Sequence, residues 1–335
     1  MEPDVDYLVF SPGGIHGFAH VGVLQTLERV WADAGKNLHH SIRGAAGSSI
    51  GSVLALAVVL GYNGMELEQF ASEQLELLSD HLRKANLVHL YNTMGMLPPT
   101  PIRLFIERLL TRKLGRHDFT FDELMRQAPI AGRRLVVGVH NVDLMRDELM
   151  SAETTPDMSV VKACTMSCMI PLIFEPIEHN GHLYVDGGLS NSLPYDLFDP
   201  DRTLAIYLQK VPGTKRLLEL GRNRFIMFIA MLIDAYECST RLKLRLAYPK
   251  HLIRVGIVVR NLSTLMASKA EQRSMVSMGE LSTLLHMTPQ LVPGILRVLE
   301  VASQVWSAQA EDTPEEDVQP CTNLPEQPPL PIAPT

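Results

Sequence analysis

No apolar run in this chain approaches the roughly 18 residues that a membrane-spanning helix requires. Stretches such as Val53–Leu60 and Phe225–Ile233 are too short to cross a bilayer. The acidic N-terminus leads directly into a strand pattern, so no signal peptide is expected. Cysteine is scarce: Cys164, Cys168, Cys238 and Cys321 have no metal-ligand spacing. Cys164 and Cys168 lie four apart in a helix pattern, which suits buried packing and a reducing compartment. There is no internal repeat, and no nucleic-acid motif or aromatic interleaving accompanies the basic residues. The expectation is a cytoplasmic protein, soluble or peripheral on membranes, with no nucleic-acid partner.

Charge is uneven along the 335 residues, which carry 37 acidic and 30 basic side chains for a net of −7. The segment from Glu311 to Thr335 holds six acids, no bases and seven prolines, so it is expected to be a disordered tail. Its P-x-x-P spacings suit an aromatic groove, but a plain solvated tail is the favoured reading. Between Lys215 and Arg254 there are nine Lys or Arg and three acids, interrupted by the apolar Phe225–Ile233. That combination fits docking of 215–254 on an anionic membrane surface, although a buried core helix with solvated flanks is the slightly favoured reading. Alternation over Leu242–Leu246 could equally make that end an edge strand. Hydrophobic residues make up 46% of the chain, enough for one large core.

Alternating patterns predict strands at 5–10, 41–46, 134–140, 182–186, 203–209 and 252–260. Helices are expected at 17–34, 50–60, 65–84, 101–112, 121–126, 158–168, 222–239 and 288–306. This order implies an α/β fold with helices on both faces of a mostly parallel sheet. Residues 88–101 read as a connection, with an alternative role as a cover over an apolar pocket.

Three motifs stand at the ends of these elements. Gly47-Ser48-Ser49-Ile50-Gly51 is a G-x-S-x-G pentapeptide between a strand and an apolar helix. Glycines at both ends allow the sharp turn that lifts Ser49 onto a crest, with the positive end of a helix beside it. An ordinary tight turn would look the same. Ser11-Pro12-Gly13-Gly14-Ile15-His16-Gly17 follows the first strand, and several of its N–H groups would face one point where an anion could bind. A dinucleotide site would need G-x-G-x-x-G, which is not what stands here. The third motif runs from Ile170-Pro171 through Phe174 and Pro176 to Asp186-Gly187-Gly188. It sets the Asp186 carboxylate at a strand end, as an Asp-Gly turn also would.

In this order the motifs resemble the patatin-like phospholipase family over about residues 5–210. The resemblance implies a three-layer α/β/α sandwich with its motif-bearing core over about 5–210; with the composition, the domain is expected to span 1–310, including a helical basic extension over about 215–310, ahead of the tail from 311. It implies a lipid substrate, no metal or other cofactor, and a Ser–Asp dyad with Ser49 as nucleophile and Asp186 as base. The amides of Gly13, Gly14, Ile15 and Ile50 would bind the oxyanion, with His16, Gly17, Gly47, Gly51, Gly187 and Gly188 supporting. The product would be a free fatty acid, or an acylated alcohol if the protein is a transacylase. A non-catalytic lipid-binding member is the opposing reading.

Two residues depart from the family's G-G-G-x-[K/R]-G turn. Pro12 replaces the first glycine and removes one N–H donor. His16 holds the basic position and would be cationic for only part of the time near neutral pH. An α/β-hydrolase triad, the competing hydrolase, would need His251 or His286 as its last member. Its several preceding strands do not fit a serine that follows only two.

Overall fold

The computed structural model describes residues 5–82, 87–127, 129–195, 197–211, 251–258 and 267–287. The helices expected over 222–239 and 288–306, most of the basic segment, Cys238, Cys321 and the acidic tail lie outside the described residues.

β1 (Tyr7–Phe10) leads through a 3₁₀ turn at Gly14–His16 into α1 (Gly17–Asp33). After the short α2 (Leu38–Ser41), β2 (Gly44–Ser48) is followed across Ser49 by α3 (Ile50–Val59). Next come α4 (Gly64–Leu82), α5 (Leu87–Thr93), β3 (Gly95–Leu97), α6 (Thr100–Leu114) and α7 (Phe121–Arg126). β4 (Arg134–Asn141) and β5 (Arg146–Ser151) form a hairpin, and α8 (Val160–Ser167) follows. β6 (Leu172–Phe174), β7 (Ile177–His179) and β8 (His182–Asp186) precede β9 (Thr203–Val211), β10 (His251–Val258) and α9 (Lys269–Met287).

The main sheet has the order β10-β9-β1-β2-β4-β8-β7, with β5 on β4. The first five strands run parallel, whereas β8 is antiparallel to β4 and β7 to β8. Alternation along β1 sends Leu8 and Phe10 into the core shared with α1, α3 and α8, and Val9 to the opposite face. There Val9, Ala46, Val136 and Ala205 pack with Leu193 and Phe198. A sheet buried on both faces favours continuous apolar strands over an alternating pattern, and it is the inner layer of the expected α/β/α sandwich. Among the described residues no helix is long and apolar enough to cross a membrane.

The strands that the sequence pattern did not predict are the short or polar ones. β3 and β6 make a separate two-stranded parallel sheet, Gly95 opposite Leu172 and Leu97 opposite Phe174. Residues 88–101 are therefore not a plain connection: they contain most of α5 and all of β3. β5 is a charged edge whose first residues face solvent, so it carries no apolar signal.

α9 was also unexpected, because its apolar positions are sparse. It docks on α1 by backbone proximity. A Cβ added at Gly22 of α1 would fall 1.9 Å from the Val276 carbonyl oxygen, and one at Gly279 would fall 2.0 Å from that of Ala19. Each glycine weakens its own helix by about 1 kcal/mol relative to alanine, and close contact of the two helices offsets that cost. Replacing Gly279 with leucine should destabilise the protein by about 1–3 kcal/mol or more through overpacking. A thermal melt unchanged from that of the native protein would show that the helices can separate freely.

Candidate active site

Ser49 sits between the end of β2 and the start of α3 with φ 55° and ψ −133°, a backbone setting that strains a side-chain-bearing residue. The flanking glycines make the setting attainable. A Cβ on Gly47 would lie 2.3 Å from the Gly51 carbonyl group, and one on Gly51 would lie 2.3 Å from the Phe10 oxygen. Buried hydrogen bonds hold the elbow. The Ser49 N–H donates to Ser167 Oγ at 2.8 Å, and Ser167 Oγ donates in turn to the Gly138 carbonyl at 2.6 Å. Ser52 Oγ donates to the Ser49 carbonyl at 2.7 Å, and Ser48 Oγ to that of Asn191 at 2.7 Å.

Strand pairing brings Asp186 to this serine. β5 occupies one edge of β4 along 136–141, so the other edge must take both β2 and β8. β2 ends with Ser48 opposite Gly138, and β8 arrives from the other direction with Asp186 opposite Val139. The two strands thus meet end to end. The Ser49 hydroxyl donates to Asp186 Oδ2 at 2.5 Å, and the Gly188 N–H donates to Oδ1 at 2.8 Å. Ser49 is 4% exposed and Asp186 6%, so water has little access to compete for this bond. Gly187 permits the approach: a Cβ there would fall 2.1 Å from the Gly138 oxygen.

The glycine turn faces the same place. Gly14, with φ 55°, and Ile15 border a cavity that Ser49 and Ile50 also line. Gly17 abuts Ile50, its added Cβ falling 2.7 Å from Ile50 Cγ1, so α1 and α3 begin side by side. The two helix starts thus lie together beside Ser49, with the Gly17 N–H taken by carbonyls of the preceding 3₁₀ turn and the Ser52 N–H by the Ser49 carbonyl. Gly13 lies against Leu208, a Cβ there falling 2.5 Å from Leu208 Cδ1, and its carbonyl accepts from the His16 N–H at 3.0 Å. His16 Nδ1 also lies 3.1 Å from that oxygen, which makes His16 a brace of the turn. Pro12 rests on the aspartate loop, since a Cβ on Gly188 would be 2.9 Å from its Cγ.

The cavity has a volume of about 130 Å³ and apolar walls. Val21 of α1, Val53 and Leu54 of α3, Leu67 of α4, and Ile102 and Phe105 of α6 form much of them. Cys168 and Ile170 close the side towards Asp186. Burial pushes the Cys164 thiol up to about 12 and raises Cys168 well above its ordinary range, with the Asp186 charge adding to the second effect. Both therefore remain protonated and unreactive at neutral pH.

No histidine completes a triad from the positions expected for one. His251 opens β10, three strands from β2 or about 14 Å at the usual strand spacing, in the row of Leu204, Leu8 and Ala45. His286 lies close enough to His251 to feel its charge. Ser167, Ser52 and Gly138 were missed by motif reading, since each acts through a backbone contact. The only hint was a small hydroxyl residue just ahead of the Ile170-Pro171 pair.

Fold and site together define an α/β protein built around a strained serine elbow, with a carboxylate and an apolar cavity beside it. The patatin-like phospholipase description matches residues 8–199, and the chain belongs to that family. It is 29% identical over 240 residues to the uncharacterized protein R571 of Acanthamoeba polyphaga mimivirus, covering 69% of this chain and 75% of the relative. It is 30% identical over 195 residues to the probable lipid hydrolase 463L of Invertebrate iridescent virus 6, covering 57% of this chain and 62% of the relative. VipD from Legionella pneumophila shares the fold with a TM-score of 0.54 at 16% identity, over 86% of this chain and 67% of that one.

His20 ties α1 to the loop before the glycine turn. Its Nε2 lies 3.0 Å from the Ser11 carbonyl, its ring packs edge-on to Phe10, and burial lowers its pKa from 6.5 to about 4. The folded protein therefore keeps His20 neutral where the unfolded chain binds a proton. Stability from this residue is intact above pH 6.5 and falls as the pH drops towards 4, by up to about 3 kcal/mol. His140, His179 and His286, each lowered chiefly by burial, act in the same direction. The urea midpoint should be lower at pH 5 than at pH 7, with a smaller difference in His20→Gln. An equal difference in both proteins would remove His20 from the acid response.

Proposed function

We propose that the protein is a lipid acyl hydrolase, cleaving carboxylic esters of phospholipids or other glycerolipids at Ser49. The observation that carries this reading is the buried 2.5 Å hydrogen bond from Ser49 Oγ to Asp186 at the mouth of an apolar cavity. A serine hydroxyl becomes an effective nucleophile when a positioned base takes its proton, and Asp186 is within direct reach. The family membership and the likeness to a probable lipid hydrolase support the same assignment.

In the first half-reaction Ser49 Oγ attacks the ester carbonyl while its proton passes to Asp186. The N–H groups of Gly13, Gly14, Ile15 and Ile50, with His16 bracing the turn, would receive the oxyanion, a contribution of roughly 10²–10³ in rate per donor. Collapse breaks the ester C–O bond, and the leaving alcohol takes the proton from Asp186. In the second half-reaction water gives a proton to Asp186 and attacks acyl-Ser49. The fatty acid leaves as Ser49 Oγ regains that proton. The apolar cavity would hold the acyl chain, whose transfer from water supplies about 0.8 kcal/mol per buried methylene.

Ser49→Ala and Asp186→Asn should each lower turnover of a phospholipid or a soluble ester by roughly 10³-fold or more, with the thermal melt preserved. A fluorophosphonate should label Ser49 in the native protein and leave Ser49→Ala unlabelled. Full activity in Asp186→Asn would remove Asp186 as the base. An unlabelled native protein that still binds lipid would indicate a binding member. Acylated alcohol in place of fatty acid, in the presence of a lysolipid acceptor, would indicate a transacylase.

A further inference from the structure

The turn joining β4 to β5, Val142-Asp143-Leu144-Met145, exposes three large apolar side chains in four residues. Val142 is 36% exposed, Leu144 46% and Met145 76%. Among the described residues nine large hydrophobics are this exposed, so one turn holds a third of them. Single exposed apolar residues need no explanation, but a cluster of them does.

The turn is firmly held. Val142 N–H donates to the Leu183 carbonyl at 2.9 Å, and Leu183 N–H donates back to Asp143 Oδ2 at 2.6 Å. Leu144 N–H donates to Asn141 Oδ1 at 3.0 Å, and Asn141 is itself buried. The polar groups of the turn are thus directed inward and its apolar side chains outward. Met145 has φ 50°, a left-handed setting that glycine or asparagine fills with less strain. An exposed methionine in that setting costs stability and gains no buried contact from the fold.

The position of the turn is the third observation. β4 runs parallel to β2, and Gly138 stands opposite Ser48. Val142 is four residues further along, so the turn projects about 13 Å beyond the level of Ser48, at the end of the sheet where Ser49 lies. The nearby carboxylates are engaged: Asp143 with Leu183 and His182, Glu148 with Arg146 and Tyr184, and Asp147 with Asn191. A stable protein interface buries roughly 1,200–2,000 Å², more than a convex four-residue tip can offer. A bilayer accepts such a tip readily.

We propose that Val142, Leu144 and Met145 form a hydrophobic wedge that seats in the headgroup and acyl boundary of a phospholipid bilayer, holding the Ser49 end of the sheet against its substrate. The proposal deepens the lipid hydrolase reading and rests on it for the purpose of the contact, but its test does not require turnover.

The test uses full-length protein carrying Ser49→Ala, floated with phosphatidylcholine vesicles in about 0.5 M salt, where a Debye length of a few ångströms suppresses any pull from the basic segment. Adding Leu144→Asp and Met145→Asp should weaken vesicle binding on the order of tenfold. Met145→Asn, which suits the left-handed backbone, should weaken binding while the melting temperature stays level or rises, and it serves alone if the double variant fails to fold. In the Ser49 background, the double variant should lose vesicle turnover but keep its rate on a short soluble ester. Unchanged binding in the variants would overturn the wedge, as would a change in oligomeric state with vesicle binding intact. If native protein hydrolyses neither substrate, the hydrolase reading fails and the binding result still decides the wedge.

Discussion

The site depends on two strands sharing one edge of β4. β2 comes to an end opposite Gly138 and β8 opposite Val139, from opposite directions. Ser49 and Asp186 come into hydrogen-bond contact where they meet. The meeting requires almost no side-chain volume, which explains the Gly-Ala-Ala-Gly-Ser sequence of β2 and the absence of a side chain at 138 and 187. Ser167 stitches the junction, taking the Ser49 N–H and giving its own proton to the β4 backbone. A buried, hydrogen-bonded elbow of this kind can hold its strained backbone only because its neighbours leave it no alternative.

This arrangement is what the proposed dyad requires, since it sets an aspartate against a serine with no histidine between them. The carboxylate is delivered by a strand end to hydrogen-bonding distance, so no imidazole is needed to span a gap. Burial keeps water from screening it, and the Gly188 N–H fixes which oxygen faces Ser49. The starts of α1 and α3 supply positive partial charge at the same point, where an oxyanion would develop. The apolar cavity beside them offers an acyl chain a place to lie without disturbing these polar contacts.

Much of this was legible in the sequence, for identifiable reasons. The elbow glycines, the glycine turn and the Asp-Gly-Gly run are local features, each confined to a few residues that must adopt an unusual backbone. The parallel strands announce themselves as apolar runs. Part of what escaped was non-local. α9 binds α1 through backbone contact at Gly22 and Gly279, which leaves no apolar stripe to read. β3 and β6 are three residues long and pair with each other far along the chain, whereas β7, equally short, pairs with the adjacent β8 across the Asn180-Gly181 turn. Ser167 looks like any helix-terminal serine until β4 and the elbow are folded around it.

Pro12 carries a consequence of a different kind. Where the family pattern has a glycine, this chain has a rigid ring that touches Gly188, two residues beyond Asp186. The turn that would bind the oxyanion and the loop that carries the carboxylate are thereby mechanically engaged. Both segments share this one packing contact. A glycine at that point would remove the contact, whereas here any repositioning of the turn has to be accommodated by the loop that carries Asp186.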